Sequence, residues 1–367
     1  MPNQLPPPYQ YGGDPYINEF VQRPLPNRQR ASSRRGGATY QPGRKATASP
    51  ARGPRPRRRG RRSGCLRIIL ILLLIAIASV LLIRSRRQLI PKIETIFKPT
   101  REASVEVVVP ELYSESLILV DLKSGDSLFA KDEDTRRAPA SLTKMMTVLV
   151  ALEADPDLDA IVEIDTESYQ RMVARDSSLA GFYGREPVTI RDLLYGTMLP
   201  SGGEAASTLA LVIGGTEADF VHQMNRKAES IGMRDTHFVN PTGLDDPAQY
   251  STAADLAKLV REAVNNPEFY KVFTATDYTS SANLNHPDGI LFNNSILRSM
   301  GDQEDMAPGV RVIGGKAGYT KTAGRCWASL LKKGNREYVA VTLASPPDQL
   351  EPLGQMVDTI WLSTLIP

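Results

Sequence analysis

Ser141 and Lys144, in Ala140-Ser141-Leu142-Thr143-Lys144, open the apolar run Met145-Met146-Thr147-Val148-Leu149-Val150-Ala151-Leu152-Glu153. On a helix, residues i and i+3 sit one turn apart on the same face, which sets a hydroxyl beside an amine. A serine hydroxyl is a poor nucleophile until a neighbour takes its proton. A lysine does this once burial or a second cation brings its pKa from about 10.4 toward neutrality. The same residues also read as a serine N-cap starting a helix, so this spacing alone leaves both readings open. Two further stretches bear on the choice. Leu199-Pro200-Ser201-Gly202-Gly203-Glu204 sets a second serine in a glycine turn between two helical patterns. Val312-Ile313-Gly314-Gly315-Lys316-Ala317-Gly318-Tyr319-Thr320 sets a second lysine on an apolar, strand-like run that ends in glycines.

A Ser-x-x-Lys block, a serine turn and a Lys-x-Gly block in this order are the motif set of penicillin-recognising serine enzymes. From about Leu117 to Leu343 the chain resembles the serine-type D-alanyl-D-alanine carboxypeptidases, the low-molecular-weight penicillin-binding proteins. The likeness takes in Phe238-Val239-Asn240-Pro241-Thr242-Gly243-Leu244 and Tyr250-Ser251-Thr252-Ala253-Ala254-Asp255-Leu256. It implies an α/β (α+β) fold of the β-lactamase and transpeptidase kind, an antiparallel sheet flanked by helices plus a helical lobe. It further implies that Ser141 attacks the carbonyl between two terminal D-alanines of a peptidoglycan stem peptide, with Lys144 as general base. Ser201 relays a proton to the leaving amine. Lys316 lowers the Lys144 pKa by its charge and holds the substrate carboxylate, with Gly318, Tyr319 and Thr320 completing the substrate side. The N–H groups of Ser141 and Tyr319 form the oxyanion hole. β-Lactams are the expected covalent ligands, and neither metal nor organic cofactor is required.

Three positions depart from the family pattern. Gly203 stands where an Asn is usual and Ala317 where a Thr is usual, Thr320 being the nearest replacement hydroxyl. The stretch Ala344-Ser345-Pro346-Pro347-Asp348-Gln349-Leu350 lacks the Arg that relatives place after the last strand, leaving Arg325 or Lys321 to approach the carboxylate. Each lost hydrogen bond to a charged group weakens transition-state binding by about 1.5–3 kcal/mol. One alternative is therefore a relative that binds peptidoglycan without turnover. Keeping two lysines in a buried site argues against it, because buried cations are costly. A class A β-lactamase is the other, and it needs a deacylating Glu on a loop between Ser201 and Lys316. Glu217, Glu229, Glu262 and Glu268 fall in that interval, each on or beside a helical pattern.

The elements that position these groups are legible in outline. Ser116–Leu122 and Ser127–Ala130 flank the turn Lys123-Ser124-Gly125-Asp126 as a hairpin. Thr189-Ile190-Arg191-Asp192 and Thr216-Glu217-Ala218-Asp219 read as capping boxes with Asp for Glu. The second opens a helix with Phe220, Met224 and Ile231 on its core side, closed by Gly232. Another helix starts at Thr252 and ends by Asn265-Asn266-Pro267. Strands are expected at Cys326–Leu331 and Tyr338–Ala344, and a final amphipathic helix at Leu350–Leu365. Strands at both ends with helices between predict one sheet covered by helices. Too few residues follow Ala344 for the second β-rich domain found in many relatives.

The rest of the 367-residue chain is organised around a membrane. Net charge is only +3, yet residues 1–64 are rich in Pro, Gly and Arg, without apolar periodicity, and read as a disordered cytoplasmic tail. Its arginines serve as a topology signal, nucleic acid is not an expected partner, and Pro6-Pro7-Pro8-Tyr9 has only the form of a polyproline ligand. Ile68 to Ile83 is apolar and uncharged, and with Leu66 and a snorkelling Arg67 it meets the low end of the roughly 17–25 residues of a spanning helix. Residues 65–83 are thus a single-pass anchor with the N-terminus cytoplasmic, since the upstream basic cluster is the denser one. A cleavable signal peptide is the alternative at Ala76-Ile77-Ala78, but apolar residues continue past it and the upstream tail is long. Residues 84–110 form a stalk and 111–367 the extracytoplasmic domain. Cys65 and Cys326 then lie on opposite sides of the membrane, with Cys326 a buried free thiol. The histidines, His222, His237 and His286, match no zinc-peptidase spacing.

Overall fold

Strand β1 (Ser116–Asp121) is Ser-Leu-Ile-Leu-Val-Asp and is buried at every position, as a strand with both faces covered must be. In the computed structural model, which describes residues 109–303, 305–347 and 353–367, β1 lies inside a five-stranded sheet. The expected tail, spanning segment and all but the last two residues of the stalk lie outside the described residues. Among the described residues no helix is long and apolar enough to cross a membrane.

β1 pairs with β2 (Ser127–Lys131) through the expected turn, and on its other edge with β9 (Arg336–Ser345). β9 pairs with β8 (Gly324–Lys333), and β8 with β7 (Val310–Thr320), all antiparallel, giving the order β2-β1-β9-β8-β7. Side chains alternate between the two faces. Leu117, Leu119, Trp327, Leu331 and Tyr338 therefore pack with Leu362 and Ile366 at the C-terminal helix. Ile118, Val120, Leu330, Val339 and Val341 join the helical core on the opposite face.

That core is built around α1 (Thr143–Glu153), in which every residue from Thr143 to Leu152 is buried. A helix apolar on all sides must be wrapped by others. The helical lobe consists of α2 (Thr166–Ala174), α3 (Ile190–Met198), α4 (Gly203–Gly214), α5 (Glu217–Ser230), α6 (Ala253–Ala263) and α7 (Pro267–Thr274). Thr189 and Asp192 form the predicted capping box on α3, while Thr216 and Thr252 cap α5 and α6 through the N–H groups of Asp219 and Asp255. Each cap is worth about 1 kcal/mol. Asn266 caps α7, so the Asn-Asn-Pro stretch starts a helix as well as following one.

Two small hairpins, β3 (Ile161–Glu163) with β4 (Pro187–Thr189) and β5 (Asp277–Thr279) with β6 (Leu291–Asn293), edge the lobe. α8 (Ser295–Met300) and α9 (Gly354–Ser363) complete the chain. Strands of three residues hold too few positions for period-two alternation to be read in sequence. The C-terminal helix begins at Gly354, and residues 348–352, where its start was expected, lie outside the described residues. Ser141 does not open α1 itself. It lies in a single 3-10 turn, Ala140–Leu142, just before it.

Candidate active site

The 3-10 turn sets Ser141 at the rim of a cleft of about 830 Å³, while Lys144, in the first turn of α1, is only 1% exposed. The lysine Nζ lies 3.0 Å from Ser141 Oγ and donates to the Thr242 carbonyl at 2.6 Å. Burial pushes the Lys144 pKa down to about 7, against the opposing pull of the Glu204 carboxyl. An amine that titrates near neutrality within reach of a hydroxyl is a competent general base.

The backbone around Ser141 is strained and tightly held. Ala140 has a φ of 46°, in the left-handed region that a non-glycine residue seldom occupies. Two glycines press on this turn from different elements. A Cβ on Gly318 would stand 2.9 Å from Ser141 N, and one on Gly243 would stand 1.9 Å from the Ala140 carbonyl oxygen. The loop bearing Gly243 is organised by Asn240, whose Oδ1 accepts from the N–H groups of Thr242 and Gly243 at 3.1 and 2.8 Å. Thr147 Oγ1 donates to the Pro241 carbonyl at 2.7 Å, locking the loop to α1.

Ser201 enters from the lobe. Its φ is 68°, and its buried hydroxyl has no hydrogen-bond partner among the described residues. It lines the same cleft as Ser141. The turn is fixed by Gly202 N–H to the Gly196 carbonyl and Gly203 N–H to the Ser178 carbonyl, each at 2.8 Å.

Lys316, on β7, is fully buried, and its Nζ donates to the Ala317 carbonyl at 2.8 Å. Burial, then the charge of Lys144, hold its pKa well below the lysine range. Of the two causes expected for Lys144, burial is the main one, as it is for Lys316, where the charge of Lys144 adds to it.

Ala317, Gly318, Tyr319 and Thr320 line the cleft along β7. Thr320 Oγ1 donates to Asp245 Oδ1 at 2.6 Å and accepts from Ala323 N–H at 3.0 Å, so a substrate carboxylate would compete with Asp245 for its proton. Arg325 is placed differently. It pairs with Tyr319 across the β7–β8 hairpin, lines the cleft, and has its guanidinium carbon 5.7 Å from the Tyr319 ring centroid. Its Nε is buried without a partner among the described residues, while a terminal nitrogen reaches the Pro347 carbonyl at 3.4 Å. Lys321 also lines the cleft.

Two parts of the site had no signal in the sequence as read. The Thr242 carbonyl is a backbone group 98 residues from Lys144. Glu204, fully buried behind the serine turn, accepts from Ala180 and Gly181 N–H at 2.7 and 3.0 Å. Burial pushes its pKa up against those hydrogen bonds. An acid in the first turn of a helix was its only visible mark. Glu217, Glu229, Glu262 and Glu268 do not line the cleft. Cys326 is a buried free thiol, pushed by burial up to about 12. A basin of about 870 Å³ by the β8–β9 turn carries Lys227, Lys258 and Arg336, each ion-paired.

A covered antiparallel sheet, a helical lobe and a serine beside a buried lysine define the class of serine acyl-transfer proteins that includes the penicillin-binding proteins. Residues 103–346 match the peptidase S11 family, D-alanyl-D-alanine carboxypeptidase, and the chain belongs to that family. It is 30% identical over 249 residues to D-alanyl-D-alanine carboxypeptidase DacF of Bacillus subtilis (strain 168), covering 67% of this chain and 61% of that protein. It is 34% identical over 235 residues to D-alanyl-D-alanine carboxypeptidase DacB2 of Mycobacterium tuberculosis, covering 64% of this chain and 75% of that one. The crystal structure of the Streptomyces K15 DD-transpeptidase aligns with a TM-score of 0.62 at 30% identity, over 71% of this chain and 98% of that one. The chain spans less than two thirds of the Bacillus protein's length.

Proposed function

We propose that this protein is a membrane-anchored serine D-alanyl-D-alanine carboxypeptidase that trims the terminal D-alanine from peptidoglycan stem peptides and is acylated by penicillins. The observation that carries this reading is the Lys144 amine, titrating near 7 and 3.0 Å from Ser141 Oγ. Lys144 takes the hydroxyl proton as Oγ adds to the penultimate carbonyl. The N–H groups of Ser141 and Tyr319 stabilise the oxyanion, usually a large share of the rate enhancement. Ser201 passes a proton to the departing D-alanine amine, and water then hydrolyses the ester on Ser141. The terminal carboxylate lies toward Lys316 and Arg325, and an incoming anion draws a proton onto the buried Lys316. Arg325 thereby supplies the cation that relatives place after the last strand. Anchoring rests on the apolar run Ile68 to Ile83 and the denser upstream arginines, which put the domain outside the cytoplasm.

The test is timed labelling with a fluorescent penicillin, together with D-alanine release from a stem pentapeptide. The wild type is expected to do both, and Ser141→Ala neither. A wild type that neither labels nor releases D-alanine overturns the enzyme reading and leaves a wall-binding module. The likeness to the Streptomyces K15 DD-transpeptidase supports a second outcome for the same acyl-enzyme, capture by an amine. A cross-linked product with an added acceptor would favour that branch.

A further inference from the structure

A side chain at position 203, where the family pattern has an amide, would here meet the side chains of two other residues. A Cβ on Gly203 would stand 2.7 Å from Met172 Sδ and 3.0 Å from Ser177 Oγ. At Gly202 a Cβ would stand 2.7 Å from Ala180 Cβ and 2.8 Å from Ala180 N. The side chains of Met172, in α2, and Ser177, after it, thus stand where a residue 203 side chain would extend, and the following segment packs on the serine turn.

The segment is held on both sides of Ser177. Ser177 N–H donates to the Met172 carbonyl at 3.0 Å, and the Ser178 carbonyl accepts from Gly203 N–H at 2.8 Å. Beyond it, Ala180 and Gly181 N–H are gripped by Glu204. The Ser177 hydroxyl itself bonds to none of the described residues, and Ser177 lines the cleft with Ser141 and Ser201. An unspent hydroxyl on a backbone held at both sides, lining the cleft that holds the nucleophile, is a preorganised contact for a peptide group.

We propose that Ser177 is a substrate-contacting residue, hydrogen-bonding a backbone amide of the stem peptide acylating Ser141. It stands in for the side chain that Gly203 lacks. The proposal rests on the carboxypeptidase reading above. Glu204 and the two glycines act as positioning residues, holding the Ser177 backbone against the turn.

The experiment measures D-alanine release from a stem pentapeptide by the full chain, its Ser177→Ala and Ser177→Thr variants, and a Met172→Ala/Gly203→Asn/Ser177→Ala triple variant. Ser177→Ala is expected to lower kcat/KM about tenfold, the effect of one hydrogen bond, with an unchanged melting temperature. Ser177→Thr, which keeps the hydroxyl, stays within about threefold of wild type on the same basis. The triple variant regains most of the loss, because its amide enters the space vacated by Met172 and the Ser177 hydroxyl. An active wild type with Ser177→Ala within about twofold of it overturns this inference alone. An inactive wild type overturns both it and the reading on which it rests.

Discussion

The Lys144 environment makes a quantitative demand on pH. If the free amine is the base, the rate of Ser141 acylation follows the deprotonated fraction of a group titrating at about 7. At pH 7 the rate is then about half its plateau, at pH 6 about a tenth, and at pH 5 about a hundredth. An ordinary lysine titrating at about 10.4 would be deprotonated at pH 7 to only a few parts in ten thousand, so burial increases the available base about a thousandfold. The assay is the initial rate of fluorescent penicillin labelling between pH 5 and 9 at fixed ionic strength. Glu204→Gln supplies the directional check. Its carboxylate raises the Lys144 pKa, so removing the charge should move the acid limb to lower pH. A profile flat from pH 5 to 9, or one still rising steeply at pH 9, would refute Lys144 as the base in this protonation state.

Two substitutions probe the rest of the cleft. Gly318→Ala places a Cβ 2.9 Å from Ser141 N and 3.3 Å from Leu142 N, both backbone atoms that cannot swing aside. The strain is about 1–3 kcal/mol, and penicillin labelling should slow at least about tenfold; an unchanged labelling rate would show that β7 does not clamp the serine turn. Arg325→Ala should lower kcat/KM for the stem pentapeptide by one to two decades, roughly the value of a charge-assisted hydrogen bond, with Arg325→Lys retaining part of it. Unaltered kinetics in Arg325→Ala would move the carboxylate anchor elsewhere, with Lys321 the next residue to test.

The local chemistry of this chain lies close to the surface of its sequence. Ser141 and Lys144 are three residues apart, so helical geometry alone predicts their meeting. Thr189, Thr216 and Thr252 cap helices through backbone groups three residues on, and the Lys123–Asp126 turn joins adjacent strands. Burial of β1, β8 and β9 on both faces follows from apolar runs longer than one exposed face would need.

What could not be read depends on which distant groups come together. Thr320 looked like a free hydroxyl until the fold brought Asp245 to within 2.6 Å of it. Gly203 looked like a loss until α2 and its following segment were seen to occupy its side-chain space. Desolvation is the larger cause of the lowered Lys144 pKa, and it is a property of everything packed around a group, not of any one partner. Residue types, local spacing and the order of the motif blocks are written in the chain itself, and they specified the family and brought forward Ser141 and Lys144 as candidate nucleophile and base. Hydrogen-bond commitments and the burial that shifts both lysines arise from contacts between residues far apart in sequence, so only the packed tertiary structure decided them.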